Sequence, residues 1–175
     1  MTGYIQQVFG TTRKRKDVLF IDPGVTGAGF AFWPSLVLGR KRTLRPTTHG
    51  CLPAPRDDWI ARGDRIAEDC WVIAKTYGLS LLVVEWPTLW SGSGKSHAAA
   101  VKGNLNKICV GVGMVIHALR DWKAEVILVK PGEWKQQLSK EVVEDRIHDE
   151  LGDDFEVESH AGDAVGMGLA AVGRL

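Results

Sequence analysis

Two carboxylates in this chain each close an apolar run. Asp22 follows Val18-Leu19-Phe20-Ile21, and Glu85 follows Leu81-Leu82-Val83-Val84. Short apolar runs bounded by turn residues read as buried strands. A carboxylate at the buried end of a strand is costly unless something positive meets it. His160 and Asp163 stand three apart at the start of a C-terminal helix, and so share a face. Neighbouring strands would bring Asp22 and Glu85 together, and sites in open α/β sheets gather at strand ends. Three acids and a histidine in one place repel unless a cation joins them, and such oxygen-rich sets suit Mg²⁺ or Mn²⁺. For Asp22 alone a plainer reading stays open, in which Asp22-Pro23-Gly24 is a turn whose carboxylate accepts amide hydrogen bonds.

The elements that must position these groups follow from pattern. Pro23 and Gly24 turn the chain, and Gly27, Gly29, Phe30, Phe32 and Trp33 read as a second strand whose glycines leave room for a close neighbour. Residues 36–52 predict a third strand with Arg40, Lys41, Arg42 and Arg45 on or near it. Asp57 or Asp58 starts an amphipathic helix through Trp59, Ile66, Cys70, Ile73 and Tyr77, closed by Gly78. The strand ending on Glu85 then follows a helix, which suggests a parallel crossover. Residues 86–96 form a loop carrying exposed Trp86 or Trp90. Its Gly94-Lys95-Ser96 is not a phosphate-binding P-loop, because position 89 is Leu where that motif needs Gly.

Val101, Leu105, Ile108, Val112, Val115, Leu119 and Trp122 alternate steps of four and three, which predicts a helix of about 25 residues. It is either a core helix or a dimer helix whose Gly111 and Gly113 admit a close neighbour, with Ile116 at its margin. Val126 to Val129 reads as another buried strand, residues 140–151 as a polar helix, and Ser159 as the cap of a last helix rich in small residues.

The chain of 175 residues is expected to form one domain over 17–175 behind a flexible lead-in at 1–16. No apolar run approaches the roughly 20 residues of a membrane span. Neither a signal peptide nor a disulfide framework is visible, and Cys51, Cys70 and Cys109 fit a reducing, cytoplasmic compartment. A net charge of +1 hides an asymmetry: residues 1–50 hold eight Lys/Arg against two acids, and 141–158 hold nine acids against one Arg. The basic part, including the run Arg13 to Lys16, either meets an anionic polymer or is a solvated surface and tail.

Ile-Asp-Pro-Gly-x-x-x-x-Gly at 21–29, Val-Val-Glu at 83–85 and His-x-x-Asp-Ala at 160–164 resemble the RuvC-type Holliday junction resolvases of the RNase H-like superfamily, in a compact phage-type form. The resemblance runs from residue 18 to the C-terminus. It implies an α/β fold with a five-stranded mixed sheet flanked by helices. It implies two Mg²⁺ or Mn²⁺ ions held by Asp22, Glu85, His160 and Asp163, with a catalytic lysine at Lys130 or Lys135. The implied partners are a four-way DNA junction and a second copy of the chain. DNA contacts are expected at Arg40, Lys41 and Arg42, at Trp86, Trp90 and Lys95, and at Lys102 and Lys107. Where the family carries its junction wedge, three residues after the glutamate, this chain has Thr88. The alternatives are a related nuclease for flaps, forks or RNA–DNA hybrids, and a branched-DNA binding protein that no longer cuts.

Overall fold

The computed structural model describes residues 14–38, 45–53, 58–88 and 102–175. The strands are β1 (Lys16–Pro23), β2 (Gly27–Leu36), β3 (Thr48–Pro53), β4 (Leu81–Glu85) and β5 (Glu125–Val129). They form one sheet in the order β3-β2-β1-β4-β5. β1–β2 and β2–β3 are antiparallel, while β1–β4 and β4–β5 are parallel. The sheet is therefore mixed and five-stranded, as the resemblance implied. The helices are α1 (Trp59–Tyr77), α2 (Asn104–Ala118), α3 (Pro131–Trp134), α4 (Lys140–Leu151) and α5 (Ser159–Ala171). No helix among the described residues is long and apolar enough to cross a membrane.

Strand side chains alternate between two faces, and the two hydrophobic cores follow that alternation. Val18, Phe20, Ala31, Trp33, Leu81 and Val83 pack with α4 and α5. Leu19, Ile21, Phe30, Phe32, Leu82 and Val84 pack with α1 and α2. The same period assigns the acids. Asp22 continues Val18 and Phe20, and Glu85 continues Leu81 and Val83, so both carboxylates belong to the face that α5 covers.

α1 forms where its caps demand. The Asp58 side chain accepts the Ile60 and Ala61 amides, and Gly78, at φ 83°, ends it by donating its amide to the Ala74 carbonyl. α4 spans the expected residues and buries Val143, Ile147 and Leu151. Its polar look comes from the outer face.

Four expectations need correction. The third strand is only Thr48–Pro53, because β2 itself runs on to Leu36; residues 39–44 lie outside the described set. α2 is 15 residues long rather than about 25. Gly103 at φ 72° sets its start, and a single 3₁₀ turn at Arg120–Trp122 with Lys123 at φ 49° follows its end. Val101 lies outside the described residues. β5 is an edge strand, with Val126 41% and Leu128 45% exposed, not a buried one; a pure apolar run cannot say whether a helix covers it. The last helix includes Ser159, with Glu158 in the cap position.

Candidate active site

Parallel register brings the two strand-end acids together. Ile21 pairs with Val84, so Asp22 and Glu85 are the next residues on adjacent strands. On its other side Asp22 lies opposite Gly29 of β2. Gly29 explains how α5 reaches the site. A Cβ there would overlap the His160 carbonyl and crowd the Ala161 amide, so only glycine lets the first turn of α5 rest on the sheet. Gly24 plays a lesser version of this part, since its Cβ would lie 3.3 Å from the His160 ring. The turn between β1 and β2 is closed by the Gly24 amide on the Gly27 carbonyl at 2.8 Å. Arg62 of α1 ties it down, donating to the Val25 carbonyl at 3.2 Å.

The segment before α5 is strapped to β3. Arg45 grips Asp154 with two bonds, of 2.7 and 3.1 Å. His49 stacks on Phe155 at 4.4 Å and meets the Glu156 carbonyl through Nε2 at 2.9 Å. Arg45, read from sequence as part of a basic surface, is thus engaged by the acidic turn.

Within the site each group has a protein partner. His160 Nδ1 stands 2.9 Å from Asp22 Oδ2. Lys135, just after α3, places Nζ 3.5 Å from Asp163 Oδ1. The Trp134 indole Nε1–H donates to Glu85 Oε2 at 2.6 Å. Asp22 is 6% exposed. Burial raises its pKa, helped by Asp163, while the His160 bond opposes the rise. Burial, and then the Asp22 charge, push Glu85 up to about 8, against Lys135 and the indole. His160 is itself raised, chiefly by its bond to Asp22. Asp22 and Glu85, buried beside further acids, would therefore, when ionised, hold an excess of negative charge that their surroundings do not compensate.

That excess is the test of whether a divalent cation suits the group. Among the described residues no three His, Cys, Asp or Glu side chains stand as a ready-made cage. The donor chemistry nonetheless fits a hard cation: three carboxylates and one imidazole, two of the carboxylates buried and driven toward protonation, chiefly by that burial and further by a neighbouring acid's charge. A cation would remove that penalty, at the expense of the Lys135–Asp163 pairing.

The sequence-predicted residues divide cleanly. Asp22, Glu85, His160, Asp163 and Lys135 come together. Lys130 is exposed at the head of α3, its amide bonded to Glu133 Oε2 at 2.7 Å. Trp86, expected on an exposed loop, is half-buried against the α1–α2 core, because its amide donates to the Val129 carbonyl at 2.7 Å and prolongs the sheet. Thr88 is half-buried. Lys102 is exposed and Lys107 half-buried, at and near the start of α2. Arg40, Lys41, Arg42, Trp90 and Lys95 lie outside the described residues. Sequence reading missed Trp134. Its only signal was a bulky aromatic beside Lys135, directly after the last strand.

No protein-family model matches the chain, and no curated protein matches its sequence. Solved structures do match. The structure of RuvC from Thermus thermophilus is 21% identical with a TM-score of 0.68, covering 87% of this chain and 91% of that one. The same protein in complex with a Holliday junction substrate is 20% identical, with a TM-score of 0.67 over 89% of this chain and 91% of that one. Ydc2, the yeast mitochondrial Holliday junction resolvase, is 11% identical with a TM-score of 0.52, over 96% of this chain and 84% of that one. At these identities the likeness establishes the fold, which is that of RuvC.

Proposed function

We propose that this protein is a metal-dependent endonuclease that resolves four-way DNA junctions by paired phosphodiester hydrolysis. One observation carries the reading: Asp22 and Glu85 on adjacent parallel strands meet His160 and Asp163 from α5 on one face of a RuvC fold. One of the matching proteins was solved on a Holliday junction substrate.

Asp22, Glu85, Asp163 and His160 would hold two Mg²⁺ or Mn²⁺ ions. What such ions supply, when bound, is activation of the attacking water and neutralisation of the leaving oxygen. The chain's own residues do the rest. The acids hold charge at the strand ends, and His160, pinned through Nδ1 to Asp22, keeps Nε2 for a ligand or for orienting water. Lys135, released from Asp163, can neutralise charge growing on the phosphate. It is the better of the two lysines for that role, since its ammonium already reaches an acid of the group.

A junction offers two symmetric strands, so a two-fold dimer with two sites is the matching assembly. We place its centre at the outer stripe of α2 rather than at Ile116, which is half-buried against the core. Asn106, Val110, Gly113 and His117 are the exposed positions along α2, and Val126 and Leu128 lie exposed on the edge strand β5.

Labelled four-way, fork, flap and linear duplex DNA, each with Mg²⁺, Mn²⁺ or chelator, test the reading. Preferred, metal-dependent, paired cutting of the four-way substrate is the expected result. Preferred cutting of flaps, with a monomer by light scattering even on the junction, would replace it with the flap-nuclease reading. Binding without cutting in either metal would replace it with a non-cutting binding protein.

A further inference from the structure

Trp134 belongs to the core on the α5 face, and one of its neighbours there is a glycine. The residue is 4% exposed. Its ring lies in a socket floored by Gly166 of α5, where a Cβ would come within 2.8 Å of the ring and 3.0 Å of Val143. The socket thus exists only because position 166 is glycine. Gly166 lies on α5, less than one turn beyond Asp163. From this socket the indole N–H reaches across to Glu85 Oε2 at 2.6 Å. The next residue, Lys135, lies over the same ring at 5.0 Å and reaches Asp163. Two consecutive residues thus hold one acid from β4 and one from α5.

We propose that Trp134 is a positioning residue for metal binding: its indole fixes the Glu85 carboxylate in the orientation that offers an oxygen to a divalent cation. The inference rests on the proposed function above and deepens it. An indole is a donor only, so the bond leaves no choice of polarity. With Oε2 engaged, Oε1 is the oxygen Glu85 has to give outright. Because the donor is neutral, it orients the acid without supplying the positive charge that a metal would bring. Lysine in that place would compete with the cation, whereas an indole does not. Carboxylates that bind metals are commonly held by such outer partners, and removing one weakens metal binding by about 10–100-fold.

The test uses Trp134→Phe, which keeps a ring in the socket and removes the donor. In the full chain labelled with ¹⁵N-tryptophan, the indole signal missing from Trp134→Phe is that of Trp134. It should shift in Glu85→Gln and should exchange slowly with solvent. A Mn²⁺ titration of the free chain, read by the paramagnetic resonance of unbound Mn²⁺, should show roughly tenfold weaker binding in Trp134→Phe. Cleavage should then need about tenfold more metal for half-maximal rate, while the rate at saturating Mn²⁺ and junction binding in chelator stay near wild type. Equal Mn²⁺ affinity in the two chains overturns the inference, as does a loss confined to the rate at saturation. Should Trp134→Phe fail to fold, the wild-type spectrum decides, because an indole set unmoved by Glu85→Gln overturns the bond. A wild type that binds Mn²⁺ with these signatures yet cuts no junction would sink the proposed function and uphold the positioning role.

Discussion

The two faces of the sheet use small residues to bring different parts together. On the α1–α2 face, Gly63 of α1 takes the Met114 side chain and lets α1 lie against Gly111 of α2, with Cys70, Val112, Val115 and Leu119 filling the core beside them. On the α5 face, small helix residues lie against large partners. Gly168 takes the Trp33 ring, Gly166 takes the Trp134 ring, and Gly29 of the sheet takes the α5 backbone itself. The first arrangement fits two helices to each other. The second pulls one helix against the strand ends, and it is this closeness that sets His160 on Asp22 and Asp163 near Glu85. The difference teaches that the site is bought by packing: small residues, not the acids, decide where the acids meet.

The largest effect expected is on chemistry. Asp22→Asn, Glu85→Gln and Asp163→Asn each remove a proposed ligand from the α5 face and leave the packing of both faces untouched. Cleavage should fall by more than the roughly 10–100-fold typical of losing an outer partner. Junction binding in chelator should persist or tighten, since a carboxylate near phosphate is gone. A gel-shift assay run beside a cleavage assay separates the two, and any of these variants cutting at near the wild-type rate loses its place in the site.

Next comes stability against pH, which should depend on the α5 face alone. Glu85 is pushed up from 4.5 to about 8, and Asp22 and His160 are also raised. The folded chain therefore binds more protons than the unfolded chain in this range, so the stability these groups lend is complete at low pH and is lost as pH rises. In chelator the melting temperature should fall between about pH 5 and pH 8. Mg²⁺ or Mn²⁺ should flatten or reverse that fall, because a cation favours the ionised acids. Glu85→Gln should remove much of the slope. A flat profile for wild type in chelator would mean that the acids are better compensated than their burial implies.

What could be read from sequence divides along the same line. Strand type, the acids at strand ends and the capped helix α1 were legible because apolar runs, turn residues and Asp58–Gly78 act locally. Gly29 was read as room for a neighbour, and the neighbour is the α5 backbone. Trp134 was not legible, because its partner is 49 positions away and no local pattern announces an indole hydrogen bond. Nor was the exposure of β5, since Val126 and Leu128 look the same whether or not a helix lies over them. The sequence overstates the length of α2 because apolar periodicity runs from Val101, ahead of the turn at Gly103, to Trp122, through the 3₁₀ turn that follows the helix.

The smallest effects should separate the faces most cleanly, through one substitution made twice. Gly168→Ala puts a methyl into the ring of Trp33, which is itself only 2% exposed and held edge-on by Phe20 at 5.4 Å. Overpacking of that kind destabilises by about 1–3 kcal/mol, more than the gain of roughly 1 kcal/mol from replacing a helical glycine. Gly113→Ala, on α2, meets nothing within 4 Å. There the helix gain is unopposed, and the chain should become about 1 kcal/mol more stable. Denaturant unfolding of both variants measures the contrast, and a stabilised Gly168→Ala would show that Trp33 can yield and that the α5 face is not tightly set. In the proposed dimer Gly113 also lies at the two-fold contact. If a second copy packs closely at this stripe, the methyl that stabilises the lone chain must weaken the pair. Light scattering across a dilution series should then show Gly113→Ala dissociating at higher concentration than wild type. A variant that gains stability and keeps its dimer would move the two-fold contact away from Gly113, toward Val126 and Leu128 on the sheet edge.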